Sequence, residues 1–442
     1  MPHEHSDLNP TPSLPTNLPT DRRAMLAGIG GLAAGAMMAG RAQAGPLNPP
    51  AGPITPTPGP EPRIPINATN TPGDADSLFV ISQPGSYYLT GNITGLVGKH
   101  GIKLTTGNIS IDLCGFQLVG VPAMGDFSGV WLPSQGFTNF VICNGIISGW
   151  GSDGLELRQT TGSGNTHLEN LTVTGNGRHG ISAGNGTAII RRCTSNSNTG
   201  SGIRAGTGCV ISDCNASGNG TVGILASDSS SVSGCAAFFN LDRGFSIGPG
   251  SSVTACAASA NAIGFGSTAN FTRSGSVFKD CASYANNGDG FRLTTGNTVS
   301  GCAAYFNDGH GFSLSGSNII AECNATSNYG DGIQVTNNST VRDNHCIGNG
   351  NGGSLDTAGF RATSSDNRIE GNVSCDNARG FTIAGSGNFV ARNTCSGSTI
   401  VNWDVAAGNT ILVVSATTAN GIFGNGGGTS PGSTNPNANY SY

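Results

Sequence analysis

From about Ser77 to Ser415 the apolar residues come in twos and threes, alternate with polar ones, and stop at Gly or Asn before a helical turn could close. Runs this short fit a period of two and predict short β-strands rather than amphipathic helices. The pattern recurs about every 21 residues. Cys193, Cys214, Cys235 and Cys256 stand 21 apart, as do Cys281, Cys302 and Cys323. The step from Cys256 to Cys281 is 25, so that unit carries a four-residue insertion, and less regular steps lead on to Cys346, Cys375 and Cys395. Five residues after each of the seven regular cysteines stands Asn (Asn198, Asn219, Asn240, Asn261, Asn286, Asn307, Asn328). Leu171 and Asn176 continue the phase one unit upstream. A Gly followed by Ile or Phe comes about nine residues after the Cys, as in Gly202-Ile203, Gly290-Phe291 and Gly332-Ile333. A branched residue recurs near eighteen: Ile189, Ile211, Val232, Val253, Val299, Ile320 and Val341.

One such unit cannot bury its apolar faces alone, so neighbours must stack. Three short strands per unit, in register about 4.8 Å apart, predict an all-β fold: a right-handed parallel β-helix of about 15 coils, a count set by the repeat length. The Asn column has a structural reading, because Asn tolerates left-handed backbone and its amides can bond along the stack. The Gly column marks positive φ or close backbone approach. Cysteines among small apolar neighbours, as in Cys302-Ala303-Ala304, read as inert core thiols. Some disulfides and a metal are the alternatives, although 13 is odd and neither CxxC nor HExxH occurs.

Composition narrows the class further. Gly makes up 71 of 442 residues and charged residues only 10%, which suits neither a helical bundle nor a disordered polyelectrolyte. Net charge is −5 with three lysines and no basic stripe, so nucleic acid is excluded as a partner. Residues 1–44 read as a signal peptide: Arg22-Arg23, a mildly apolar stretch from Met25 to Ala39, then Ala42-Gln43-Ala44. The paired arginines point to twin-arginine export, with general secretion as the alternative. That stretch is shorter than the roughly 20 residues of a membrane span. The expected mature protein is secreted, periplasmic or attached to the envelope. Residues 45–73 are a Pro-rich linker, residues 74–415 the solenoid, and residues 416–442 a Gly/Asn-rich tail.

The phrases Asn287-Gly288-Asp289-Gly290-Phe291 and Tyr329-Gly330-Asp331-Gly332-Ile333 resemble the repeats of right-handed β-helix proteins of the pectate-lyase-like superfamily. Gln83-Pro84-Gly85-Ser86-Tyr87-Tyr88-Leu89 and Ile109-Ser110-Ile111-Asp112-Leu113-Cys114-Gly115 are similar to the N-terminal part of its secreted bacterial members, and Asn435-Pro436-Asn437-Ala438-Asn439-Tyr440 to their C-terminal end. The resemblance implies the fold. It does not select a function, since the group holds lyases, hydrolases, epimerases and adhesins.

One column carries candidate chemistry. The residue before the repeat Gly is read as facing out of a turn, and in three consecutive coils it is Asp289, His310 and Asp331. Stacking places the imidazole about 5 Å from each acid and the acids about 10 Å apart. Flanking carboxylates raise an imidazole pKa. Carboxyls roughly 6.5–9.5 Å apart suit an inverting glycoside hydrolase. Asp308-Gly309-His310-Gly311 resembles the Gly-His-Gly motif of polygalacturonase-type hydrolases, but that family's Asn-Thr-Asp, Asp-Asp and Arg-Ile-Lys motifs are absent. Arg292 imitates the base of a Ca²⁺-dependent pectate lyase without an acidic cluster beside it, so Ca²⁺ enters only under a lyase reading. Otherwise no cofactor or metal is expected. Tyr305 and Tyr329, with Tyr284, form either a packing ribbon or a sugar-binding face. The column also holds Ser201, Val222, Ile263 and Ala358, which fits plain solvated turns. Arg292, Arg361 and Arg379 read either as arginines that hold acidic sugars or as plain solubilising surface residues. Three functions follow: a glycan-interacting scaffold without catalysis, a polysaccharide hydrolase or lyase, and a structural adhesin. Polysaccharide is the partner in the first two.

Overall fold

The computed structural model describes residues 63–134, 136–157, 165–268, 275–350, 356–415, 422–424 and 435–442. The expected signal peptide, most of the Pro-rich linker, and much of the tail lie outside the described residues.

Among the described residues there is no α-helix, and the strands make one parallel solenoid of about 15 turns. Each coil contributes one strand to a 16-stranded sheet and two to a 30-stranded sheet. Phe291–Leu293 lies in the first, Thr298–Ser300 and Ala303–Tyr305 in the second, and Phe312–Leu314 begins the next coil. Registers hold without slippage: Phe291 pairs Phe312, and Phe312 pairs Ile333. Strands start at Ile64–Pro65, which pairs Tyr87–Tyr88, and end at Asn439–Ser441, which closes on Thr394–Ser396.

Strands of three residues survive here because stacking, not strand length, buries them. The core is a set of columns of like residues. Phe245, Phe265, Phe291 and Phe312 stack with ring centroids 4.7 Å apart and planes within 10°. Phe360, Phe381 and Trp403 repeat the motif further on. In the branched column the core member is Ile190, not Ile189: Ile190 pairs Ile211 and is fully buried, whereas Ile189 is exposed. A strand puts successive side chains on opposite faces, so the one-residue difference exchanges core for solvent.

Asn side chains hold the corners. Asn240 Oδ1 accepts both the backbone N–H of Asn219 at 3.1 Å and its Nδ2–H at 2.9 Å, while Asn240 Nδ2 donates to Asn261 Oδ1 at 3.0 Å. The chain of amides runs from Asn176 to Asn377. The sequence reading missed a second ladder of Ser and Asn, which passes through Ser251, Ser276, Asn297 and Asn318. The repeat glycines are needed for close approach rather than for positive φ. A Cβ on Gly311 would lie 2.6 Å from Gly332 O and 2.8 Å from Asn328 Nδ2. Left-handed backbone falls instead on Ala285, Phe306, Ser327 and Asp376, just before the Asn.

All thirteen cysteines are free. Cys193, Cys214, Cys235, Cys256, Cys281, Cys302 and Cys323 form one buried column, apart from Cys209, whose thiol donates to Ser230 Oγ at 3.0 Å, and the column then changes residue: Asn344 Oδ1 accepts the N–H of Cys323 at 2.9 Å, and Asn372 that of Asn344. Cys346 and Cys395 sit in another core column, and Cys375 is only half-buried. The preceding thiol, together with burial, pushes Cys214, Cys235, Cys256 and Cys281 up to about 12. Thiols held that high stay protonated and unreactive.

Candidate functional site

The structure stacks Asp289, His310 and Asp331 on consecutive coils, at the corner where the Asn-Gly turn enters the 16-stranded sheet. It corrects the expectation that this column faces solvent. Asp289 and Asp331 are buried, with side chains only 5% and 2% exposed. Each side chain caps the backbone of the next coil. Asp289 Oδ1 accepts the N–H of His310 at 2.8 Å, His310 Nδ1 accepts that of Asp331 at 2.9 Å, and Asp331 Oδ1 accepts that of Ala358 at 2.6 Å. A turn N–H facing along the solenoid axis needs an acceptor, and an acidic or imidazole side chain one coil below supplies it.

The second carboxylate oxygens are also taken. Asp289 Oδ2 receives Arg292 Nε at 2.6 Å. Asp331 Oδ2 receives Arg361 Nε at 2.9 Å and Gln334 Nε2 at 3.0 Å, with His310 Nδ1 3.4 Å away. Arg361 is therefore not a surface arginine: its side chain is 10% exposed, and it also reaches Asp356. Arg379 pairs with Asp404 at 2.7 Å. The side chains that reach solvent from this cluster are Arg292, 56% exposed, and His310, 30% exposed. With Nδ1 accepting a backbone N–H, the imidazole proton belongs on Nε2.

A general acid or base must be able to meet the proton it moves. Two buried carboxyl groups with both oxygens engaged by backbone, Arg and Gln act as fixed acceptors that orient those partners. The cluster can position Arg292, His310 and Gln334. Its acids are not presented to a substrate.

Tyr305 lies on the 30-stranded sheet and Tyr329 shortly after one of its strands, whereas Arg292 lies on the 16-stranded sheet. Tyr284 and Tyr305 stack on each other at 5.6 Å with planes 13° apart, and Phe306 links Tyr305 to Tyr329 at 5.7 and 6.0 Å. The stacked pair shares one ring face each, and Tyr284, Tyr305 and Tyr329 all remain exposed.

The same column continues toward the N-terminus: spacing places Asp153, His179 and Ser201 in it, while His100 and Ser128 escaped the sequence reading. His100, Ser128, Asp153, His179 and Ser201 occupy equivalent turns, where His100 Nδ1 caps Ser128, Asp153 Oδ1 caps His179 and His179 Nδ1 caps Ser201. Asp153 also takes Arg178 in a bidentate pair at 2.7 and 2.8 Å. Burial lowers the pKa of His100 and His179, which keeps both imidazoles available as acceptors. The signal was present in the list of residues before each repeat Gly. What it lacked was the direction of the side chains. Among the described residues no three His, Cys, Asp or Glu side chains converge as a metal site, and no helix is long and apolar enough to cross a membrane.

No curated protein matches this sequence. Among solved structures, the A-module of mannuronan C-5 epimerase AlgE4 from Azotobacter vinelandii is similar at 14% identity, over 69% of this chain and 90% of that one, with a TM-score of 0.43. The receptor binding domain of the Siphovirus 9NA tailspike is similar at 10% identity, over 79% and 73%, with a TM-score of 0.40. A mutant form of the periplasmic alginate epimerase AlgG is similar at 13% identity, over 83% and 81%, with a TM-score of 0.32. The model of the right-handed β-helix region matches residues 92–237, 153–317 and 232–362, more than half of the sequence, and the chain belongs to that family.

Proposed function

We propose that this chain is an exported, glycan-interacting scaffold of the cell exterior or envelope, and that the Asp289–His310–Asp331 stack serves it as a positioning device. The observation that carries the reading is the burial of both acids. Their oxygens are consumed by capping and by Arg292, Arg361 and Gln334, so the groups offered to a ligand are the Arg292 guanidinium and His310 Nε2–H. Both are donors, suited to the hydroxyls and carboxylates of saccharides. Export rests on the Arg22-Arg23 signal and the Ala42-Gln43-Ala44 cleavage pattern.

The test is incubation of the purified chain with acidic and neutral polysaccharides, with and without Ca²⁺. The readouts are retention, new reducing ends and unsaturated products. Retention without products is expected, weakened about tenfold in Arg292→Ala, the size of one charge-assisted hydrogen bond. Reducing ends alone would restore the hydrolase reading for Asp289 and Asp331. Unsaturated, Ca²⁺-dependent products would restore the lyase reading for Arg292. No retention at all would leave a structural adhesin.

A further inference from the structure

The outer face of the 16-stranded sheet carries a second feature, three to six coils before the Asp289 stack. A polar pocket of about 360 Å³ opens there. That volume falls within the range of small-ligand sites, roughly 300–1,000 Å³. Its floor is a register column, Glu156–Ser182–Arg204–Leu225, in which each residue pairs the next across adjacent strands. Arg178, from the turn, and Asn185 complete the polar lining.

The charges within the pocket are unevenly satisfied. Glu156 is buried and partnered, on an Arg178 that it shares with Asp153: Oε1 lies 3.2 Å from Arg178 Nη2, and Oε2 accepts the Ser128 hydroxyl at 2.6 Å. Arg178 is fixed from the other side by Asp153, which leaves 45% of its side chain exposed. Arg204 is different. It is exposed, and among the described residues it has no ion pair. Its neighbours on the floor are a hydroxyl, Ser182, and an apolar side chain, Leu225.

We infer that this pocket binds a saccharide unit bearing one anionic group, with the anion on Arg204 and Arg178, its hydroxyls on Ser182 and Asn185, and its apolar ring face on Leu225. The arrangement is chemically specific. The resident acid already has Arg178 and the Ser128 hydroxyl as partners. One guanidinium is pre-oriented and the other has no competing partner, which favours an anion over a neutral ring. The inference rests on the glycan-interacting reading and names the ligand class. It places the anchor at a site separate from Arg292.

Isothermal titration of the full chain with three trisaccharide probes tests it: a uronate, a sulfated neutral sugar, and an unsubstituted neutral sugar. Anionic probes are expected to bind at least tenfold more tightly than the neutral one, and more weakly as salt rises. The uronate and sulfate arms identify which anion is held. Arg204→Ala is expected to lower the anionic affinity about tenfold or more, and Arg204→Lys to lower it less. Arg204 is exposed, so both variants should keep the wild-type thermal transition. Equal binding of charged and neutral probes, or unchanged affinity in Arg204→Ala, would overturn the pocket. If the trisaccharides fail while polysaccharide retention persists and is lost in Arg292→Ala, the pocket falls and the scaffold reading survives. If both fail, the scaffold reading itself is lost.

Discussion

Asn307→Ala removes one rung of the amide ladder, and its cost can be worked from the bonds it breaks. Asn307 Oδ1 accepts the Asn286 N–H at 3.1 Å and the Asn286 Nδ2–H at 2.8 Å; its own Nδ2 donates to Asn328 Oδ1 at 2.8 Å. All three residues are buried. Truncation leaves the Asn286 N–H with no acceptor. It also strips one bond from Asn286 Nδ2, which keeps Ser283 Oγ at 2.8 Å, and one from Asn328 Oδ1, which keeps the Asn307 N–H at 3.1 Å. A stranded buried donor costs about 1–3 kcal/mol. One donor fully stranded and two groups partly so give about 2–4 kcal/mol. In a solenoid that cost is local, because each coil contacts only its neighbours. Hydrogen exchange should therefore be read coil by coil. Amides of Gly290, Phe291 and Phe312 are expected to exchange about 30- to 1,000-fold faster, the same energy expressed at about 1.4 kcal/mol per decade. Amides around Cys193 and Cys214 should not change. Acceleration below about tenfold at Phe291, or an equal effect at Cys193, would refute the claim that the ladder holds individual corners.

Phe291→Ala opens a hole in the aromatic stack and should cost about 3–5 kcal/mol; a conservative Phe291→Leu should recover most of it in the same exchange measurement. Protonation of His100 or His179 at Nδ1 would break a backbone cap. Their folded pKa values are depressed, so the stability they contribute is present above the ordinary value of 6.5 and is lost as pH falls through the folded value. Denaturation midpoints should drop as pH falls below about 6.5, and a profile that stays flat below it would remove the histidine caps as a source of stability. A thiol reagent added to the native protein should label quickly only Cys114, Cys143 and Cys375, the three of thirteen that are not buried. Rapid labelling of Cys235 or Cys256 would contradict a closed core column.

The repeat period alone determined the architecture. A 21-residue cycle with three short alternations has few ways to bury its apolar faces, and stacking into a parallel solenoid is the economical one, so the strands, the Asn ladder and the buried cysteines were legible. Which residues share a column was also legible, because spacing fixes register: Asp289, His310 and Asp331 were placed together before any coordinates. Direction was not. Whether the residue before the repeat Gly points out or in depends on the path of the turn, which differs by one rotation about the backbone and leaves no mark on the spacing. Tertiary structure turned those side chains along the axis, made them acceptors for the next coil's N–H, and so converted a candidate acid–base pair into two buried clamps. Ile190 displaced Ile189 for a different reason: it stands 21 residues before Ile211, in step with the repeat, whereas Ile189 stands 22 before it. The pocket around Arg204 was decided by tertiary structure as well, since Glu156, Arg178 and Arg204 belong to different coils and only their stacking shows which cation is already paired.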